Sequence, residues 1–252
     1  MVWLLVFLPG LLAGLVQGLT GFGAAIVMMI FLPQLFPIAQ SAAVAGVIMA
    51  ASVITLVWRY HQHIHFRQII VPFIVYASVA AYSVHLGQVL DVQLLRRLLG
   101  ALLVSLAGYF SLSKRAANQT YPWWLAGLFM IISGFFNGLF GIGGPLMALY
   151  FLSLADTTAD YLGNLQTFFL IDVVYISTVR VLNGILTPFL LPHIMIGMVG
   201  AVIGTALAAR ILPRLPMTTV RHLIYLFIGL SGGYYLIAQI VQVLKNIFRK
   251  QR

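Results

Sequence analysis

Two glycine-rich stretches hold the residue types best suited to chemistry in this chain. The first runs Gly14-Leu15-Val16-Gln17-Gly18-Leu19-Thr20-Gly21-Phe22-Gly23. The second runs Gly134-Phe135-Phe136-Asn137-Gly138-Leu139-Phe140-Gly141-Ile142-Gly143-Gly144 and is followed by Pro145. Without a Cβ, glycine reaches positive φ and lets another backbone or a ligand come close. Successive N–H groups can then point into one concavity that suits an anion. A helix starting beyond the break adds free N–H groups and the positive end of its dipole. Gly141-Ile142-Gly143-Gly144-Pro145 fits well, because proline in a first helical turn gives up no hydrogen bond. Gly21-Phe22-Gly23-Ala24-Ala25 is the less extreme counterpart. Gln17, Thr20 and Asn137 add side-chain donors nearby. The expected chemistry is binding of a small anion by Gln17, Thr20, Gly21, Gly23, Asn137, Gly141, Gly143, Gly144 and Pro145.

Close helix packing competes with that reading. Gly14-x-x-x-Gly18 and Gly134-x-x-x-Gly138 have the spacing that lets transmembrane helices touch, and packing is preferred for those four glycines. The Gly21/Gly23 and Gly141/Gly143/Gly144 clusters are assigned to a ligand, since packing needs no glycine run ending in proline.

Asp172 is the one acidic residue well inside a hydrophobic segment, Phe168-Phe169-Leu170-Ile171-Asp172-Val173-Val174-Tyr175. An ionised Asp at a helix centre costs about 2.5–3.5 kcal/mol on insertion scales, so a functional role is the default. It is expected to couple ion movement as a proton carrier, because burial disfavours the charged form. A structural hydrogen bond to another helix or to a tyrosine is the competing reading. Asn164 and Gln166 stand on the same segment as candidate cavity-lining residues. Gln166 precedes Asp172 by six positions and so points nearly opposite, which keeps all three from lining one pore.

The remaining candidates give less. His61, His63 and His65 alternate, but no carboxylate or cysteine stands beside them and Arg59 and Arg67 flank them, so they are read as an interfacial loop rather than a metal site. There are no cysteines, which removes disulfides and thiolate chemistry. No Ser/His/Asp constellation, Walker A or zinc-protease motif is present. The chain is therefore not expected to be an enzyme, and no cofactor or metal is expected.

The elements that must position these residues are membrane helices. Of the 252 residues, 62% are hydrophobic and 7% charged, and the mean hydropathy is +1.05. A soluble domain carries about 25% charged residues. The apolar runs are continuous and about twenty residues long, as helices crossing a ~30 Å core require, and they lack the alternation of a barrel strand. The expected fold is an all-α polytopic membrane protein. Its net charge of +10 is attributed to short loops on one side of the bilayer, not to nucleic-acid binding. Residues 2–12 lack a basic flank and a small-residue cleavage site, so they are expected to be a retained helix.

Eight segments can be drawn: 2–35, 41–58, 69–84, 98–112, 122–152, 162–178, 189–209 and 223–244. The first and fifth carry the glycine stretches. Gly14, Gly18, Leu19, Gly21 and Gly23 recur 120 positions later as Gly134, Gly138, Leu139, Gly141 and Gly143. At the same offset of 120, Phe31-Leu32 matches Phe151-Leu152, Pro72 matches Pro192 and Ala81 matches Ala201. At an offset of 125, Arg96 and Leu98 match Arg221 and Leu223, and Gly108-Tyr109 matches Gly233-Tyr234. Residues 1–252 thus form one transmembrane domain of two halves, 1–112 and 122–245, joined by a linker at 113–121. Matching interruptions in two hydrophobic halves are a sequence pointer to a transporter's binding site.

Topology has two readings. If every segment crosses once, nine Lys and Arg lie on the side of the termini and five opposite, placing both termini in the cytoplasm with parallel halves. If each glycine segment is a re-entrant hairpin, the charges divide seven to seven and the halves are inverted. Inverted repeats are the expectation adopted.

The doubled Gly-x-x-Gly-x-Gly-Gly pattern, on Gly18, Gly21 and Gly23 and on Gly138, Gly141, Gly143 and Gly144, resembles the sulfite exporter TauE/SafE family, also called the 4-toluene sulfonate uptake permeases. The two apolar halves with Pro72 and Pro192 resemble it too, over essentially the whole chain. Ala24 departs from the pattern where a further glycine is common. The resemblance implies a multi-pass transporter of the bacterial inner membrane that moves sulfite, sulfonates or related organic anions. The expected partners are a small anionic substrate, the lipid bilayer and protons as coupling ions, with oligomerisation left open. A passive anion channel and a structural membrane subunit are the alternatives.

Overall fold

The computed structural model describes residues 3–91 and 121–216 without a gap, together with scattered residues between 93 and 105 and between 218 and 241. Most of the expected segments 98–112 and 223–244, the linker apart from Tyr121, and both Arg96 and Arg221 lie outside the described residues. All regular structure among the described residues is helical: α1 (Leu4–Thr20), α2 (Ala24–Phe31), α3 (Ile38–Tyr60), α4 (Phe66–Val89), α5 (Trp123–Phe140), α6 (Gly144–Leu154), α7 (Thr158–Leu182) and α8 (Leu191–Ile211). The local signals are simple. Pro37 and Pro122 stand immediately before α3 and α5, and the Thr157 hydroxyl caps α7 by accepting from Asp160 N–H at 3.1 Å. Gly21 and Gly141 end α1 and α5 at φ of +82° and +71°, a region costly to any residue with a Cβ.

Five helices are long and apolar enough to cross a membrane, those at Ile38–His63, Phe66–Val89, Trp123–Phe140, Thr158–Leu182 and Pro188–Arg214. The chain is thus a multi-pass membrane protein. Its outward faces agree: Ile70, Val71 and Ile74 of α4 and Met195, Val199 and Ile203 of α8 are all exposed. At 1.5 Å per residue, α1, α2 and α6 are each shorter than the ~30 Å hydrocarbon core.

Each glycine break turns the chain back. The Ala24 N–H donates to Oε1 of Gln17, seven residues earlier, at 3.3 Å. A Cβ built on Gly143 would lie 3.0 Å from the carbonyl of Ser133, ten residues earlier. A helix continuing straight would carry both pairs far apart.

The leading glycines of each stretch pack helices, as the small-residue spacing predicts. Gly10, Gly14 and Gly18 of α1 meet Gly197, Ala201 and Ala208 of α8, a contact that advances in step and makes the two helices parallel. Gly134 and Gly138 of α5 meet Tyr76 and Ala80 of α4 in the same parallel sense. A Cβ on Gly14 would strike the Ala201 carbonyl, and one on Gly134 the Tyr76 carbonyl. Central helices α3 and α7 run antiparallel, with Ala42 beside Arg180 at one end and Tyr60 and His63 beside Gly163 at the other. The helix before each break therefore packs on a helix from the opposite half of the sequence.

Candidate functional site

At the first break, Gln17 is wholly buried near the end of α1. Its Nε2 donates to the Gly21 carbonyl at 3.1 Å and to Oε1 of Gln166 at 3.0 Å, while its Oε1 takes the Ala24 N–H. Gln166 of α7 in turn donates to the Gly21 carbonyl at 2.6 Å. The Tyr161 hydroxyl donates to the Thr20 carbonyl at 2.7 Å. Two side chains of α7 thus occupy carbonyls that the end of α1 leaves without helical partners.

At the second break, Asn137 takes the place that Gln17 has in the first. Its Nδ2 lies 3.1 Å from both carboxylate oxygens of Asp172, and the Tyr76 hydroxyl donates to Asp172 at 3.4 Å. The Asn137 carbonyl accepts from Gly141 N–H at 2.8 Å and from Arg180 Nη2 at 3.0 Å. Arg180 also donates to the Ala42 carbonyl at 2.9 Å and to the Gly138 carbonyl at 3.5 Å. A guanidinium suits this position, because the C-terminal carbonyls of α5 form the negative end of a helix dipole.

The two breaks meet. A Cβ on Gly144 would come within 2.9 Å of the Phe22 Cβ. Between them lies one pocket lined by Gln17, Gly23, Asn137, Gly141, Gly143, Gly144, Pro145 and Asp172, with an apolar remainder that includes Phe22, Ile26, Met49 and Phe169. The first turns of α2 and α6 both border it. Its free volume is about 10 Å3, room for one water.

Four expected site residues stand elsewhere. Thr20 turns its hydroxyl to the carbonyls of Val16 and Phe22, at 2.8 and 2.7 Å, because a threonine near a helix end satisfies local backbone first. Gly21 shapes the turn, and its carbonyl is taken by Gln17 and Gln166. Gln166 braces the first break without lining the pocket. Asn164 is further away: it accepts the His65 N–H at 2.6 Å and donates to Gln68 at 3.1 Å, tying α7 to the connection between α3 and α4. His63 lies in that connection with its Nδ1 2.9 Å from Asp160, a carboxylate distant in sequence that the fold brings to it.

Sequence reasoning missed three contributors. Arg180 lies two residues past the expected end of its segment at 178, yet α7 runs on to Leu182 and the side chain is 2% exposed. Its position eight residues after Asp172, about two turns, was the available signal. Tyr76 and Tyr161 carried no signal, since each finds its partner only across helices.

No curated protein and no solved structure gives a match to the chain. A family model described as "Sulfite exporter TauE/SafE" matches residues 6–235, most of the chain and both glycine breaks. The chain belongs to the sulfite exporter TauE/SafE family of membrane transporters.

Proposed function

We propose that this protein moves small sulfur oxyanions, sulfite or sulfonates, across a bacterial plasma membrane by alternating access around the pocket between the two breaks. The observation that carries the reading is the convergence of the two turned-back chain segments. The starts of α2 and α6, with Gln17 and Asn137, face one buried space between parts of the chain 120 residues apart. Helix N-termini offer free N–H groups and positive potential to an oxyanion. A space that holds one water is too small for an oxyanion, so in this scheme the two breaks move apart to admit one.

The helix directions support an inverted relation between the halves. With α1 taken as running up, the contacts give α3 up and α4 down in the first half, and α5 down, α7 down and α8 up in the second. Each helix of one half then opposes its counterpart in the other, with α1/α2 and α5/α6 as re-entrant hairpins. Such hairpins are tolerated at membrane depth where protein or a cavity satisfies their backbone, as Gln166, Tyr161 and Arg180 do here.

Asp172 is the proton carrier in this scheme. It is buried, borders the pocket and is held by Asn137 and Tyr76. Radiolabelled sulfite uptake into proteoliposomes tests the function. The wild-type protein should show saturable flux that a pH gradient drives, and Asp172→Asn should keep saturable exchange but lose the pH drive. Flux without saturation would favour a channel, and absence of flux for every oxyanion tried would favour a structural subunit.

A further inference from the structure

Asp172 and Arg180 are the only charged side chains in the buried interior among the described residues, at 1% and 2% exposed. Both stand on α7. They form no direct ion pair within 4.0 Å; Asn137 joins them, its amide on Asp172 and its carbonyl on Arg180. A neutral donor could cap the same carbonyls, as Gln166 and Tyr161 do at the first break. Here the cap is instead a guanidinium, a group that keeps its charge under all ordinary conditions. A charge in a membrane interior is costly and needs a compensating charge or a function.

We propose that Arg180 is the fixed positive charge of the anion site, set behind Asn137, and that it works in opposition to Asp172. With Asp172 ionised, the pair leaves the empty pocket neutral, so an entering anion would be uncompensated. Once Asp172 takes a proton, the charge of Arg180 balances one negative charge on the ligand. The site therefore admits one proton with each monovalent anion. Arg180 does not line the pocket; it sets charge and position through Asn137. The groups facing Asp172 are Tyr76 of α4, Asn137 of α5 and Arg180, while α1, α2 and α3 bring Gln17, Ile26 and Met49 to the pocket, none of them titratable. This inference rests on the anion-transport reading, and its test separates the two.

One arm needs no ligand. Arg180→Met should lower the melting temperature of the purified full chain by about 10 °C, because it strands a buried carboxylate. The double variant Asp172→Asn with Arg180→Met should recover at least half of that loss. Arg180→Lys, which keeps the charge, should melt closer to the wild type. Losses that simply add would overturn the charge pair. If Arg180→Met does not fold while the double variant does, the pair is supported in the same way.

The other arm measures binding of methanesulfonate, a monoanion at every pH used, to wild type, Asp172→Asn and Arg180→Lys. The ratio of affinities between Asp172→Asn and wild type then reports the charge of the site alone. It should be near one at about pH 5 and rise about tenfold by about pH 8, as expected for one unbalanced charge nearby. Arg180→Lys should keep the pH dependence of the wild type. A flat ratio overturns the proposal. Wild-type protein that binds neither sulfite nor methanesulfonate overturns the anion-site reading, and the anion half of this proposal with it, whatever the melting cycle shows.

Discussion

Two residues nearly equivalent in sequence, Gln17 and Asn137, do different work. Gln17 is held by neutral partners, Gln166 and backbone groups, whereas Asn137 stands between a carboxylate and a guanidinium. The second break therefore carries the charge chemistry, and substitutions there should alter ligand handling more than those at the first. Gly141 offers a clean measurement. At its φ of +71° a Cβ is strained, and it would lie 3.3 Å from the Ala42 carbonyl that also receives Arg180. Gly141→Ala should cost about 1–2 kcal/mol and lower the melting temperature in detergent by a few degrees. It should also weaken sulfite binding. Gly184, at φ +68° with nothing within 4 Å, serves as the comparison: Gly184→Ala should show the strain without the loss of binding. Equal binding losses in both variants would remove Gly141 from the site.

At the scale of elements, α7 is the helix that holds both breaks, through Tyr161 and Gln166 on one and Asp172 and Arg180 on the other. Its counterpart α3 places Ser52 at the position matching Asp172, and that hydroxyl is taken by Thr205 at 2.8 Å. The small-residue contacts determine how α1 and α5 lie. Gly14→Ala would put a methyl against the Ala201 carbonyl and should cost about 1–3 kcal/mol by forcing α1 away from α8. Gly127 of α5 has nothing within 4 Å, so Gly127→Ala should instead stabilise, by up to about 1 kcal/mol from helix propensity alone. Thermal unfolding of the two variants should move in opposite directions. Much of this was legible beforehand: the glycine spacing named the packing positions in both stretches. The partners were not, because spacing describes a face and says nothing of which helix will cover it.

For the whole molecule, the two turned-back segments meet at Phe22 and Gly144, and the proposed opening of the pocket parts them. The chain has no cysteine, so an introduced pair reports without background. In a variant with Phe22→Cys and Gly144→Cys, the two Cβ atoms lie close enough for a disulfide after a small adjustment. Oxidation should stop flux of methanesulfonate, an oxyanion that does not attack disulfides as sulfite does, and reduction should restore it. Undiminished flux in the fully oxidised variant would exclude a mechanism that separates the breaks.

The order of residues already specified the class of fold, the places where two helices break, and the glycines that let helices touch. These follow from composition and from local backbone chemistry, which adjacent residues specify. It also singled out Asp172, because a lone carboxylate in an apolar run is conspicuous without any partner. Helix packing selected which polar residues meet. It brought Asn137 and Tyr76 to Asp172, gave Gln166 to the first break rather than to the pocket, carried Asn164 off to the α3–α4 connection, and drew Arg180, beyond the expected end of its segment, into the interior. Those pairings join residues from 35 to 149 positions apart, and their energy comes from excluding water around both partners at once, a condition no single segment contains.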